Sequence, residues 1–237
     1  MRNGAYQINY KNIDINGYQY YVPRFAEGRP AAHAILSRTL YEELTHSLVS
    51  HILQKTEMSI VHAGTFFGDM LPQFSRYCKD MVYAFEPVLE SYVMARHHVM
   101  YNDLKNVMLF HAGLSDKTGH AYIKTSDQSG SHLGGSSHVA DSGQLVNTIR
   151  IDDLKLNEIS ILHLDVEGHE IEVFHGALDK MQKEQPIILM EDSKSKDTSI
   201  IQDMGYTQLL QTRLIDLWTT DKYKKLSEEA INSSRIS

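Results

Sequence analysis

The sequence predicts an α/β protein built on a mostly parallel sheet, and three observations predict it. Between residues 58 and 192 short apolar runs alternate with amphipathic stretches, the pattern of strands joined by crossover helices. A pair of glycines, Gly64 and Gly68, follows the first of those runs. Acidic side chains recur where the runs end, at the edge where open α/β sheets bind their ligands.

The elements follow in order. Residues 5–30 alternate Tyr, Ile and Val with polar residues around Asn16-Gly17, a dipeptide that favours a tight hairpin. Tyr18, Tyr20 and Tyr21 can offer a platform to a sugar ring or pack as a cross-strand ladder, and the ladder is the expected arrangement. Leu36, Leu40, Leu44, Leu48 and Ile52, spaced by four, predict one helix of roughly five turns. Hairpin and helix together make an appendage over residues 1–54. The domain over residues 55–222 starts with strand MSIVHAG (58–64), helix DMLPQFSRYCKD (69–80), strand MVYAFEP (81–87), helix VLESYVMARHHVMYN (88–102) and strand NVMLFHAG (106–113).

Residues 114–147, rich in Gly and Ser, interrupt the alternation as an inserted loop with a short hairpin at His120 to Lys124. Such a loop is either a solvated connection or an active-site lid. ISILHLDVEG (159–168) is the next strand, and Ile171, Phe174, Leu178 and Met181 mark the core stripe of one helix. PIILM (186–190) is a further buried strand. YTQLLQT (206–212) and LIDLWTT (214–220) form a closing antiparallel pair, and residues 223–237 are a tail.

Composition narrows the function. Twenty-three Lys and Arg against 30 Asp and Glu give a net charge of −7, and only Lys222, Lys224 and Lys225 crowd together, which disfavours nucleic acid as the main partner. The one cysteine, Cys78, excludes a disulfide framework, favours a reducing, cytoplasmic setting and reads as a small buried apolar residue. Met1 to Tyr10 lack the pattern of a signal peptide, and no apolar run approaches the ~20 residues that span a bilayer. A soluble protein with no membrane partner is expected.

The chemistry gathers at the strand ends. Gly64 and Gly68, in AGTFFGD, allow the backbone to approach a ligand. Glu86 stands 22 positions after Gly64, where a carboxylate can accept the ribose hydroxyls of a nucleoside. The dinucleotide fingerprint is missing, because His62 and Phe66 stand where further glycines would be needed. A nucleoside without phosphates fits better, such as the adenosine of S-adenosyl-L-methionine. Asp165 and Glu167 close the fourth parallel strand, Gly168 opens the next helix, and Glu170 lies in its first turn, where a helix dipole favours a carboxylate.

The segments VYAFEP (82–87), TIRIDDL (148–154), LDVEGHEIEVFHGA (164–177) and PIILMED (186–192), in this order and spacing, closely resemble the FkbM family of S-adenosylmethionine-dependent methyltransferases. The resemblance covers about residues 58–192. It implies the Rossmann-like class I methyltransferase fold, a mostly parallel seven-stranded sheet with helices on both faces. It also implies S-adenosyl-L-methionine as cofactor and O-methylation of a hydroxyl on a sugar or natural product. By that resemblance Gly64 and Gly68 match the cofactor loop, with Thr65 between them in the expected cofactor-binding set, Glu86 the ribose acid, and Asp165, Glu167, Gly168 and Glu170 the signature block. Ser115 joins the expected cofactor-binding set. Four positions depart from the family's pattern: His62 stands for the usual Asp of the loop, Thr65 and Phe66 for Ala and Asn, and His163 for a frequent Lys.

A hydroxyl nucleophile loses its proton as it attacks, so a base within hydrogen-bond reach is needed. Asp165 or His169 is the first expectation, and His132 or His138 of the inserted loop the second. His163, Asp165, Glu167 and His169 could together ligate a divalent ion, but no compact zinc spacing is present and no metal is expected. Two other function classes stay open: an NAD(P)-dependent oxidoreductase, disfavoured by the missing glycines, and a catalytically silent adenosyl-ligand-binding module. Asp69, Glu86, Asp165, Glu167, Glu170, Glu191 and Asp192 all fall near predicted strand ends. That rim suits a cationic donor and a neutral hydroxylated acceptor, a sugar or glycan, whose pocket walls come from the appendage and the inserted loop.

Overall fold

The computed structural model describes residues 8–126, 133, 136–191 and 197–234. In chain order it opens with β1 (Tyr10–Ile15), β2 (Tyr18–Pro23), α1 (Pro30–Leu36), α2 (Glu43–Thr56), β3 (Ser59–Ala63), α3 (Leu71–Tyr77), β4 (Val82–Phe85), α4 (Leu89–Tyr101) and β5 (Val107–Phe110). It continues with β6 (Gly113–Leu114), β7 (Gly119–Lys124), β8 (His138–Ala140), β9 (Gln144–Ile149), β10 (Ile159–Leu164), α5 (Glu170–His175), α6 (Leu178–Glu184) and β11 (Ile187–Met190). The last elements are α7 (Ser199–Asp203), β12 (Thr207–Gln211), β13 (Asp216–Thr219) and α8 (Lys224–Ser234). No helix among the described residues is long and apolar enough to cross a membrane.

The first two strands pair antiparallel about Asn16 and Gly17, whose φ of 53° and 84° suit a two-residue hairpin. The tyrosines make no exposed platform. Tyr20 and Tyr21 are buried, and Tyr21 docks on α4, its amide donating to His98 Nε2 at 3.0 Å. The single long helix expected from Leu36 to Ile52 is divided. Arg38 and Glu42 take left-handed backbone between α1 and α2. The apolar period survives the break because Leu36 and Leu40 pack with the hairpin cluster while Leu48 and Ile52 pack on the sheet.

The sheet has the order β12-β13-β11-β10-β3-β4-β5. It is mixed: β13 runs antiparallel to both its neighbours, and the other six strands share one direction. Its strands bury both faces. Ile60, Val82, Ile161, Ile187 and Leu217 face a cluster with Leu48 of α2, Phe74 of α3 and Ile231 of α8. Their neighbours Val61, Leu162, Ile188 and Trp218 face Val173, Phe174, Met181 and Ile201 of α5–α7. Helices therefore cover both faces, as a parallel sheet requires. The parallel strands end together along one edge, and the site is built there.

Three further expectations need correction. The described part of the inserted region is a separate four-stranded sheet, ordered β6-β9-β7-β8, rather than a loop with one hairpin. Ala121, Ile123 and Val146 on its inner face pack with Val88, while Tyr122 and Leu145 point outward. Residues 223–237 are not only a tail, since α8 packs on α2 with Ala230 and Ile231 buried and Ser234 Oγ bonded to Ser47 Oγ at 3.0 Å. The helix expected across Ile171 to Met181 is two helices parted at Gly176. A Cβ on Gly176 would lie 2.0 Å from the carbonyl oxygen of Ser115, so backbone meets backbone there.

That contact generates a prediction. Gly176→Ala must push β6 and its following residues away, and should lower stability by about 3 kcal/mol. Urea unfolding read by tryptophan fluorescence checks it; a loss under 0.5 kcal/mol would mean that the two backbones are not in contact.

Candidate active site

A cavity of about 290 Å³ opens at the edge where β3, β4, β10 and β11 end. Its floor is the turn after β3. Gly64 there has φ +83°, and a Cβ on it would sit 1.7 Å from the carbonyl oxygen of Asp165, so no other residue fits. Phe66, two residues on, is also left-handed with φ 50°, unusual for a bulky side chain. Its amide donates to Glu86 Oε2 at 2.8 Å, and the amide of Val88 donates to Glu86 Oε1 at 2.8 Å. The two bonds hold the Glu86 carboxyl at the end of β4, facing the glycine turn.

The lining is acidic. Glu42, Asp69, Glu86, Asp165, Glu167 and Glu191 all border the cavity. Burial pushes Glu86 up to about 8 and Asp69 up to about 7. Burial, with Glu191 nearby, also takes Glu42 to about 7. Asp165 is raised well above the usual carboxylate range by burial and then by Glu191, to which its side chain is hydrogen-bonded. Carboxyls packed together and shielded from water hold protons until a cation arrives. Among the described residues, Asp165, Glu167 and Glu191 can each bring one oxygen within 4.8 Å of the others, the spacing at which a metal ion could be held. His163 and His169, the histidines considered for such a set, are not in that group.

The other walls are of a different character. Arg29, Pro30 and Ala31 of the α1 region and Tyr41 and Glu42 of the helix break close one side. Ala121, Ile123, Val139 and Val146 of the small sheet close the other with an apolar face. Appendage and inserted region do wall the cavity, although the hairpin tyrosines do not line it.

The family model for the methyltransferase FkbM domain matches residues 62–208, more than half of the chain. The chain belongs to the FkbM methyltransferase family. Its fold is similar to the crystal structure of methyltransferase FkbM from Methylobacillus flagellatus KT, at 15% identity and a TM-score of 0.51, over 72% of this chain and 47% of that one. The chain thus spans about half the length of that FkbM protein. Precorrin-6y C5,15-methyltransferase from Geobacter metallireducens GS-15 follows at 13% identity and TM-score 0.47, over 76% of this chain and 89% of that one. M. jannaschii TYW2, solved in complex with AdoMet, has 11% identity and TM-score 0.44, over 90% of this chain and 85% of that one. No curated protein sequence matches the chain.

In this FkbM chain the expected cofactor residues fall into two groups. Gly64, Thr65, Glu86, Asp165 and Glu167 line the cavity. Gly68 instead packs against Ala95 of α4, and Ser115 lies behind the wall with its Oγ 3.0 Å from His169 Nε2. Glu170 is buried at the start of α5 and does not line the cavity; its Oε1 is 3.5 Å from the amide of Gly168. His138 lines the cavity, while His132 and Asp192 lie outside the described residues. Glu42, Tyr41 and Arg29 are additions from the structure. No motif marks them, and the left-handed backbone that turns Glu42 inward leaves no trace in composition.

His169 follows two left-handed residues, Glu167 and Gly168, and caps α5. Its Nδ1 lies 3.4 Å from Glu172 Oε2 and its Nε2 contacts Ser115, whose Oγ is 3.1 Å from Asp116 Oδ1. Both ring nitrogens are thus oriented by groups of the chain.

The departures at positions 62 and 163 prove to be one change. His62 and His163 are register partners on adjacent strands, and their Nδ1 atoms lie 2.8 Å apart. Both are buried, and burial lowers His163 to about 3 and His62 well below the ordinary imidazole range. Phe74 packs on both rings and on His46, which burial lowers to about 4. A neutral imidazole pair, one ring donating to the other, occupies the two positions where the resemblance leads us to expect an Asp and a Lys. A double-mutant cycle tests the pairing. His62→Asp and His163→Lys should each cost about 3 kcal/mol by burying an unmatched charge, and together at least 1–2 kcal/mol less than their sum. Strict additivity in chemical denaturation would sink the idea.

Proposed function

We propose that this chain transfers the methyl group of S-adenosyl-L-methionine to a hydroxyl of a small molecule, a sugar or natural-product-like acceptor. The observation that supports this most is the Glu86 carboxyl, fixed by two backbone amides across from a turn that only glycine can make, in a cavity bordered by six carboxylates. A cavity of that charge suits a ligand with cationic centres and a ribose, and resists a diphosphate. The residues present fit such a donor. Glu86 would take the ribose hydroxyls, the Gly64 turn would admit the chain beside it, and Asp69, Asp165 and Glu42 would meet its positive groups. Val88, Ile123 and Val146 offer an apolar slot of the kind a purine fills. When bound, the donor supplies an electrophilic methyl on sulfur.

The chain's own task is then to align and deprotonate the acceptor hydroxyl. His169, bordering the cavity, is the base in this reading: Glu172 holds its Nδ1–H, and Nε2 takes the acceptor's proton once the acceptor hydroxyl replaces Ser115 Oγ beside it. Asp165 is less suited, because burial and its contact with Glu191 keep it protonated. Asp165 instead positions the donor. A soluble, cytoplasmic setting with small-molecule partners agrees with the composition.

Two measurements follow. S-adenosylhomocysteine should bind with micromolar affinity by calorimetry, and S-adenosylmethionine should bind at least tenfold more tightly at pH 8.5 than at pH 6. The sign follows from the raised carboxyls: at pH 6 Glu42, Asp69 and Glu86 hold protons that a cation must expel, and above about 8 they are already ionised. Affinity that falls as pH rises would overturn the donor assignment. Separately, His169→Ala should reduce kcat by about 100-fold or more, with product affinity changed less than threefold. Unchanged turnover would remove His169 as the base.

A further inference from the structure

We propose that Arg29 recognises a carboxylate in this cavity, a role carried by a residue outside the 62–208 segment that the family model matches. Arg29 precedes α1 and is the one lysine or arginine among the described residues that line the cavity. Six carboxylates share that lining, yet none of the ion pairs among the described residues includes Arg29. Its Nη1 donates to Ser136 Oγ at 3.1 Å, across from the small sheet and 107 positions along the chain.

A guanidinium presents five N–H donors in a flat fork. One bond to a neutral hydroxyl leaves most of that fork available in a half-buried position at the cavity wall. Were Arg29 there to balance charge, it would sit on one of the acids, because pairing in a shielded site is strongly favourable. Arg29 instead stays out of the ion pairs among the described residues and bonds Ser136, so the cavity lining carries a positive group that its own acids do not take up. A carboxylate matches the fork with two parallel bonds, which a lysine cannot imitate. Such a carboxylate has two sources: the amino-acid end of the donor, or an acidic group on the acceptor. The inference rests on the methyltransferase reading.

The test uses the full chain and two arms. In the donor arm, calorimetry compares S-adenosylhomocysteine with its decarboxylated analogue, S-adenosyl-3-thiopropylamine, which keeps the amine and the nucleoside. In the acceptor arm, protein saturated with S-adenosylhomocysteine is titrated with glucuronate and with glucose. Whichever source is correct, wild type should prefer the carboxylate-bearing member by about tenfold to a hundredfold. Arg29→Gln should abolish the preference by weakening that member alone, Arg29→Lys should retain part of it, and Ser136→Ala should keep it.

A purely structural clasp between Arg29 and Ser136 predicts something else. Arg29→Gln and Ser136→Ala would then weaken both adenosyl ligands equally, and that result overturns the assignment. So does insensitivity of both arms to Arg29→Gln while S-adenosylhomocysteine still binds. Failure of S-adenosylhomocysteine to bind wild-type protein overturns the methyltransferase reading, and the Arg29 assignment with it.

Discussion

The approach of Gly64 to the carbonyl of Asp165 is the contact on which the site depends. Parallel strands β3 and β10 end side by side, and the turn leaving β3 must pass over the end of β10 with no room for a side chain. Once the turn is so held, the amide of Phe66 reaches Glu86 on the neighbouring strand. The same contact fixes the backbone of Asp165. Three residues that local sequence places 101 positions apart at the extremes thus become one surface through a single close packing of backbone. The ring of Phe66 then packs against Phe25 and Phe67, which ties the turn to the N-terminal hairpin region.

Charge at that edge is managed in two ways. Facing the cavity, carboxyls are crowded and shielded, so they rest with protons rather than with counterions. Beneath it, between β3 and β10, the histidine pair carries no charge and needs only one shared proton. That pair therefore contributes little field of its own at neutral pH. Among the described lining residues the chain offers these acids no ion-paired cation, since Arg29 bonds Ser136 instead.

Much of this was legible in the sequence because it depends on local pattern. The strands, the Asn16-Gly17 hairpin, the closing antiparallel pair and the 22-residue step from Gly64 to Glu86 all follow from period, turn chemistry and spacing. What was not legible depends on pairing or on single backbone states. Arg38 and Glu42 take left-handed conformations without a glycine to announce them, so one helix was expected where two exist. The small sheet was hidden because its alternating strands, His120 to Lys124 and Gln144 to Ile149, are short and set among Gly and Ser. His62 and His163 looked like two unrelated departures until register made them neighbours. Arg29 belongs to a segment with no motif at all.

The strand order has a kinetic consequence. β3, β4 and β5 are close in sequence and can pair early, while β10, β11, β12 and β13 form a second compact group. The seam between the groups is the β3–β10 pair, whose strands are separated by nearly 100 residues, and closing so long a loop is slow. Gly64 and Glu86 lie on one side of this seam and Asp165, Glu167 and Glu191 on the other. Zipping the seam and assembling the cavity are therefore the same event. A chain with that seam open has no complete binding site, so a ligand can favour only states in which the seam is closed.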